Sequence, residues 1–244
     1  MTLLVGNPLS MMNSATGFPV ALPVNVVRVV ARAIKFAWEE IQKAPCKHLV
    51  PKGPAVPEED MYSDALCNLL DQMLKADEPV VDGFSSALFD TICRGESLPN
   101  CSGESLNKSP DIVIRLANSP LSGARRLVGI FIESKIVTMS KPITKYTSDG
   151  LSRFVVGDYG WAMQAGMMLA YQKEKCRDLF HLERQLSSEP GLLSKPMKGG
   201  YLDFRPEYTP ITCASHHERE WMYLNGDKPG PILIWHMWDL KTPY

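Results

Sequence analysis

Two apolar segments joined by a turn-rich loop place the strongest constraint on how this chain can fold. The segment from Asp111 to Leu116 (DIVIRL) is short and rich in β-branched residues, and the segment from Leu127 to Val137 (LVGIFIESKIV) is a longer apolar run bounded by turn residues. The sequence between them, ANSPLSGARR, is rich in residues that form turns. We therefore predict two neighbouring antiparallel strands connected as a hairpin.

Other segments predict helices and further strands around this hairpin. After an irregular arm, a helix is expected from about Asn25, its predicted cap, and a second helix is expected from Pro57, where acidic residues follow. A third helix is predicted within 157–175 (GDYGWAMQAGMMLAYQKEK). Strands are predicted around 80–92 and within 209–215 and 231–240. This order predicts a mixed α/β or α+β fold with a central mixed sheet flanked by helices.

Composition excludes several classes of protein. The formal net charge is −1, whereas a protein that coats nucleic acid non-specifically is usually strongly basic, so any such contact must come from a local patch or a partner subunit. No apolar run approaches the ~20 residues that span a bilayer, and no secretory signal is recognisable, which predicts a cytoplasmic protein without membrane contact. The six scattered cysteines form no CxxC pair and predict no zinc knuckle. Gly-rich phosphate loops are missing, which predicts no nucleotide cofactor.

Three charged residues lie at the ends of the two central predicted strands. Asp111 opens the first strand, while Glu133 and Lys135 close the second and share one face because side chains alternate along a strand. Antiparallel pairing would bring Asp111 beside Glu133, where the two carboxylates repel unless a cation lies between them. Oxygen ligands without nearby His or Cys favour Mg²⁺ or Mn²⁺ over zinc. Such an ion can activate water at a phosphodiester, and Lys135 can position that water or stabilise the developing charge.

The arrangement Pro110-Asp111 followed by Glu133-x-Lys135 resembles the signature of the PD-(D/E)xK nuclease superfamily, which has the restriction-endonuclease-like fold. The resemblance spans roughly residues 57–215. It implies a nuclease-like domain over 57–244, preceded by an N-terminal arm and helix over 1–56. It also implies magnesium-dependent phosphodiester hydrolysis as the activity.

The same resemblance assigns roles to residues outside the central motif. Many members carry another acid on the preceding helix, and Glu59, which starts the inward face, is favoured here over Glu58. Members of the exonuclease-like branch carry a glutamine and a tyrosine on the helix after the lysine, to which Gln164 and Tyr171 correspond, with a longer gap between them than is usual in that branch. The implied catalytic residues are Asp111, Glu133, Lys135, Glu59 and Gln164, and the implied ligands of Mg²⁺ (or Mn²⁺) are Asp111, Glu133 and Glu59.

The expected activity is that of an endonuclease acting on nucleic acid, on DNA rather than RNA. By analogy, a member with almost no net charge, and with neither a motor domain nor a domain that recognises nucleic-acid sequence, suggests an effector of prokaryotic antiviral defence or restriction. A partner protein or homo-oligomerisation would then direct it to its target. Two alternatives stay open. In one, the chain is a catalytically silent member that acts as a nucleic-acid-binding or assembly subunit. In the other, an unrelated protein carries a chance motif, in which Asp111 caps a loop and Glu133 and Lys135 form an ion pair at the surface.

We expect structural roles for three further groups of residues, although each group could contact nucleic acid. The basic stripe on the first helix is expected on a solvated face, the histidine pair and its neighbours in a surface cluster, and the aromatic residues near the third predicted helix in the core. These groups are Arg28, Arg32 and Lys35; His216, His217, Glu218 and Arg219; and Phe154, Tyr159 and Trp161 with Arg153.

Overall fold

The structure, a computed structural model, describes most of the chain from residue 18 to residue 243. The described ranges are 18–50, 53, 56–118, 122–140, 142–173, 177–208, 212–223 and 225–243. Most of the predicted N-terminal arm therefore lies outside the described residues, as does part of the loop between the two central strands.

Helices α1 (Val24–Lys43) and α3 (Glu58–Leu74) pack on one face of the sheet, with the short helix α2 (Pro45–His48) between them. Helix α1 begins directly after Pro23, so Asn25, the predicted cap, lies inside its first turn. Apolar residues recur every three to four positions along α1 and are buried in the same core as the inward face of α3. In α1 they include Val30, Ile34, Trp38 and Ile41.

Eight strands in the described residues form one mixed sheet, in the order β1-β2-β3-β4-β8-β7-β5 with β6 also paired to β7. The strands are β1 (Phe89–Arg94), β2 (Ile112–Leu116), β3 (Gly129–Val137), β4 (Ala165–Gln172), β5 (Ser194–Lys195), β6 (Asp203–Phe204), β7 (Thr212–His217) and β8 (Ile232–Lys241). Strands β2 and β3 pair antiparallel as predicted, whereas β4 runs parallel to both β3 and β8. The predicted central mixed sheet flanked by helices is confirmed.

The prediction of a helix over 157–175 is wrong, because this segment makes a turn and then forms β4. Gly157 and Gly160 have φ angles of +79° and +65°, a left-handed conformation that ends helical geometry. All residues of β4 are buried, as expected of a parallel strand covered on both faces. A short apolar run does not distinguish a buried strand from a buried helix, and here the pairing of β4 with β3 and β8 decides the outcome.

The opposite face of the sheet is covered by a helical run and by α6 (Leu179–Ser188). The run consists of α4 (Thr144–Tyr146), a π-helical turn (Thr147–Leu151) and α5 (Ser152–Val155), and is called α4–α5 below. Its buried side chains share a core with Phe131 of β3 and Met168 of β4. No helix in the described parts of the chain is long and apolar enough to cross a membrane.

Several groups that were expected at the surface are partly or wholly buried. The guanidinium of Arg28 lies 5.0 Å from the centre of the Tyr208 ring, and Arg32 donates a hydrogen bond of 3.1 Å to the backbone oxygen of Asp82. His217 and Arg219 are buried. The surface-cluster prediction is therefore wrong for these two residues, whereas Phe154, Tyr159 and Trp161 are buried as predicted.

Candidate active site

Asp111 lies directly before β2 and faces β3 across the hairpin. The register pairs Ile112 with Ile132, so the next step outward places Asp111 opposite Glu133. The Asp111 Oδ2 atom accepts hydrogen bonds from the Ser134 amide (2.8 Å) and the Ser134 hydroxyl (2.5 Å). The structure thus brings Asp111 to the predicted place beside the Glu133-Ser134-Lys135 segment.

Arg94, at the end of β1, connects Asp111 to the first turn of α3. Its guanidinium donates to Asp111 Oδ1 at 3.1 Å and to Asp60 Oδ1 at 2.8 Å. Burial alone would lower the pKa of Arg94, but the nearby carboxylates of Asp111 and Asp60 raise it, so the guanidinium stays charged. A role for Arg94 could not be predicted from the sequence, because only the pairing of β1 with β2 brings it to Asp111.

Glu133 is almost fully buried and is the centre of a cluster of charged side chains, called the cluster below, which consists of Glu59, Arg94, Asp111, Glu133, Lys135 and Arg153. Its Oε1 atom accepts from Lys135 Nζ (2.8 Å) and Arg153 Nη1 (3.1 Å), and its Oε2 atom accepts from the Tyr159 hydroxyl (2.5 Å). Burial and the nearby charge of Asp111 raise the pKa of Glu133 above its ordinary value, although Lys135 and Tyr159 oppose the rise. Repulsion between these two carboxylates raises the electrostatic energy of the site, and a bound cation would lower it.

Lys135 lies on the same face of β3 as Glu133 and connects two acids. Its Nζ atom lies 2.8 Å from Glu133 Oε1 and 2.9 Å from Glu59 Oε1, and it also donates to the backbone oxygen of Ser134. Burial would lower the pKa of Lys135, but the carboxylates of Glu133 and Glu59 outweigh burial and raise it. The ammonium therefore stays protonated and acts as a cation and hydrogen-bond donor.

The structure separates the two candidate acids at the start of α3. Glu59 joins the cluster through Lys135, and its Oε2 atom accepts from the Ile136 amide at 3.0 Å. Glu58 instead accepts from the Tyr62 hydroxyl and lies 2.5 Å from Lys173 Nζ. The geometry thus favours Glu59, the residue preferred from the sequence.

Gln164 does not join the cluster. It is exposed in the turn before β4, four residues ahead of Met168, which pairs with Glu133. Tyr171 lies on β4, where its hydroxyl is 3.1 Å from the Ser63 hydroxyl on the α3 side of the sheet. The placement of Gln164 and Tyr171 on a helix facing the site is therefore wrong, because the segment forms a strand instead.

Arg153 and Tyr159 contact Glu133 although the sequence analysis assigned them no role in the site. They reach it because α4–α5 lies directly on β3 and β4, where a Cβ atom added at Gly150 would be only 2.7 Å from Met168 Cε and 3.6 Å from Glu133 Cγ. Glycine at position 150 permits this close approach. No local sequence pattern predicts such a contact, because it depends on how the helical run packs on the sheet.

The carboxylate oxygens of this site are of the type that magnesium and manganese prefer, but their present arrangement is not that of a formed metal site. Asp111 and Glu133 offer the hard carboxylate oxygens that these ions prefer. Each accepts three hydrogen bonds from protein groups, which leaves about one of a carboxylate's roughly four acceptor positions. Within the described residues, no group of three or more His, Cys, Asp or Glu side chains is arranged to hold one metal ion. Instead, cationic side chains lie between the acids and bind them by hydrogen bonds.

Comparison with known proteins identifies no relative of this chain. No family model, curated protein or solved structure matches the sequence. The residues of the cluster and their geometry are therefore the basis on which a function can be proposed.

Proposed function

We propose that the chain is a metal-dependent nuclease of the PD-(D/E)xK type that hydrolyses phosphodiester bonds of nucleic acid. One observation carries this proposal: the pairing of β2 with β3 places Asp111 opposite Glu133, and Lys135 binds the same Glu133 carboxylate. Two acids that repel each other beside a charged lysine are costly for a purely structural role. They are suited to a divalent ion and an anionic substrate.

The proposed roles follow from the contacts of each residue. Asp111 and Glu133 would hold Mg²⁺ or Mn²⁺, which when bound polarises a phosphodiester oxygen and lowers the pKa of a coordinated water. Lys135 stays protonated, so it would stabilise the charge that develops on the phosphoryl group rather than accept a proton. Glu59 orients the Lys135 ammonium, and its predicted role as a third metal ligand stays a prediction.

The choice of substrate and pathway depends on the resemblance alone. We propose DNA in preference to RNA, and an effector role in antiviral defence or restriction, as members of such a family would have. The net charge of −1 supports a local contact patch, a partner protein or self-association as the means of targeting.

The alternative, a silent nuclease-like fold that binds nucleic acid or assembles with partners, has one observation in its favour. Each acid of the cluster already has a cationic partner within the chain: Arg94 for Asp111, and Lys135 for both Glu59 and Glu133. Because these cations balance the carboxylate charges, the cluster is stable without a metal ion. In this alternative the Lys135→Ala variant would bind nucleic acid and the wild type would never cleave it.

The first experiment is cleavage of supercoiled plasmid by the purified protein with Mg²⁺, with Mn²⁺ and with EDTA. We expect nicking or linearisation with either metal, and none with EDTA. Glu133→Gln and Lys135→Ala should each lower the rate by about a hundredfold or more, because each removes an electrostatic contact to the reacting groups.

Matched controls separate loss of chemistry from loss of fold. Glu104→Gln and Lys75→Ala change the same residue types at exposed positions outside the cluster and should cleave like the wild type. Labelled RNA and single-stranded DNA serve as parallel substrates. Absence of metal-dependent cleavage on all three substrates, with a folded protein, would favour the silent alternative.

A further inference from the structure

Arg153, in α5, is the cation of the cluster that solvent reaches most. Its side chain is 40% exposed, compared with 23% for Arg94 and 14% for Lys135. It binds Glu133, whose side chain is only 2% exposed. The guanidinium of Arg153 therefore connects the buried centre of the cluster to the surface. The proposed cleavage chemistry does not use it.

The other two cations of the cluster have their donors committed to the protein. Lys135 has three N–H donors, and two carboxylates and a backbone oxygen accept hydrogen bonds from its Nζ atom. Both terminal nitrogens of Arg94 donate to Asp60 and Asp111. Lys135 can act on a bound anion through its charge, but a direct hydrogen bond would require it to release one of its present partners.

One edge of the Arg153 guanidinium faces solvent. The Nη1 atom lies 3.1 Å from Glu133 Oε1 and 3.5 Å from the Tyr159 hydroxyl. The Nε and Nη2 atoms make no hydrogen bond with any residue that the structure describes, and both are accessible to solvent. Because Nε and Nη2 lie next to each other on the planar group, this edge offers two N–H donors to one ligand.

The protein holds this edge in place before a ligand arrives. Glu133 binds Nη1, and α5 follows a π-helical turn that packs closely on the sheet, where a Cβ atom added at Gly150 would lie 2.7 Å from Met168 Cε. A long side chain that is already ordered loses less conformational entropy when it binds a ligand. The edge formed by Nε and Nη2 is therefore a preorganised pair of donors.

A phosphodiester fits this edge, because its two non-bridging oxygens share one negative charge and a guanidinium binds phosphate oxygens through two parallel hydrogen bonds. We propose that Arg153 is a substrate-binding residue whose Nε and Nη2 atoms hold a phosphodiester of nucleic acid beside Glu133, while Nη1 stays on that carboxylate. The inference rests on the proposed nucleic-acid substrate but not on its cleavage, so a catalytically silent protein would use the same contact.

The test is fluorescence anisotropy of a short labelled DNA duplex, and of RNA of the same sequence, measured in EDTA so that no cleavage occurs. The salt concentration is varied, because the logarithm of the association constant falls linearly with the logarithm of salt, with a slope set by the number of phosphate contacts. Arg153→Gln should weaken binding by about tenfold and reduce this slope by about one, as expected for the loss of one phosphate contact. A residue that only supports Glu133 would leave the slope unchanged.

Two further variants complete the test. Arg153→Lys keeps the charge but not the pair of parallel donors, so it should keep the slope and bind about threefold more weakly than the wild type. It also keeps the comparison possible if Arg153→Gln does not fold, which urea unfolding checks. Arg125→Gln is the matched control, because Arg125 is exposed in the turn before β3 and lies 3.7 Å from Asp90. It should bind like the wild type.

Two results would overturn the inference: absence of binding to both nucleic acids, or wild-type affinity in both Arg153 variants. The plasmid assay gives an independent outcome. A protein that cleaves plasmid but binds equally well in all variants retains the nuclease proposal and loses the role of Arg153. A protein that binds through Arg153 but never cleaves retains that role and loses the nuclease proposal.

Discussion

At the scale of single residues, a buried chain of hydrogen bonds between β7 and β8 has only one consistent direction. The Leu192 carbonyl can only accept, so His217 Nδ1 donates to it (2.8 Å) and His217 Nε2 accepts from the Ser215 hydroxyl (2.6 Å). Ser215 Oγ then accepts from His236 Nε2 (2.7 Å), and His236 Nδ1 accepts from the Tyr146 hydroxyl (2.9 Å). These donor and acceptor roles are those of two neutral imidazoles, the form that burial favours for both histidines.

This chain predicts a loss of stability in mild acid. Burial lowers the pKa of His217 to about 4 and of His236 to about 3, from an ordinary 6.5. Below pH 6.5 the unfolded chain therefore binds protons that the folded chain does not, and stability falls as the pH falls from about 6.5 towards 4. Urea unfolding should show a loss on the order of 2 kcal/mol per histidine between pH 6.5 and pH 5.

Two variants separate the histidine effect from general acid sensitivity. His236→Phe should be less stable at pH 7 by about 1–3 kcal/mol, because it leaves the buried Tyr146 hydroxyl without its partner and removes one of the two partners of the Ser215 hydroxyl, but its stability should depend less on pH. Tyr146→Phe keeps both histidines and should keep the wild-type dependence. Identical pH dependence in all three proteins would rule out the buried histidines as the cause.

At the scale of elements, β4 is where a sequence pattern and the structure disagree most. Within β4, there is no space for a larger side chain at position 166. A Cβ atom added at Gly166 would lie 2.6 Å and 2.8 Å from Phe154 ring atoms and 3.3 Å from Ile234 Cδ1. Glycine at position 166 is therefore required by the packing of α5 on β4 rather than by backbone conformation.

Gly166→Ala should lower the free energy of unfolding by about 1–3 kcal/mol, the usual cost of overpacking a core. Gly191→Ala is the matched control, because an added Cβ atom there meets no atom within 4 Å, and its effect should stay within about 0.5 kcal/mol. Chemical denaturation of both variants measures the difference. A Gly166→Ala protein as stable as the wild type would show that α5 does not pack tightly on β4.

The elements that could be predicted from the sequence are those with a local pattern of their own. The hairpin from β2 to β3 has two apolar runs and a turn, so the positions of Asp111, Glu133 and Lys135 followed from strand alternation. The contacts of Arg94, Arg153 and Tyr159 with these acids could not be predicted, since they depend on the packing of distant elements. For the same reason His217, next to His216 in a polar-looking segment, was wrongly expected at the surface.

At the scale of the whole molecule, the candidate site exists only in the assembled sheet. Lys135 and Glu59 are 76 positions apart, and Ser134 and Asp111 are 23 positions apart. The acids come from the start of α3, the start of β2 and the middle of β3, and no short segment contains more than one of them. An unfolded chain therefore cannot gather these carboxylates around an ion, so metal binding would be coupled to folding.

This coupling predicts that Mg²⁺ or Mn²⁺ raises the melting temperature. A ligand that binds only the folded state contributes about 2.7 kcal/mol at a concentration one hundred times its Kd, and for a chain of this size each kcal/mol raises the melting temperature by about 2–4 °C. Asp111→Asn should abolish the rise, because it removes a charged oxygen ligand while keeping the shape of the side chain. Asp158→Asn, which changes an acid paired with Lys108 outside the cluster, should keep it. Thermal unfolding with increasing metal and with EDTA measures the effect without any substrate, so a rise that persists in Asp111→Asn would place the metal elsewhere.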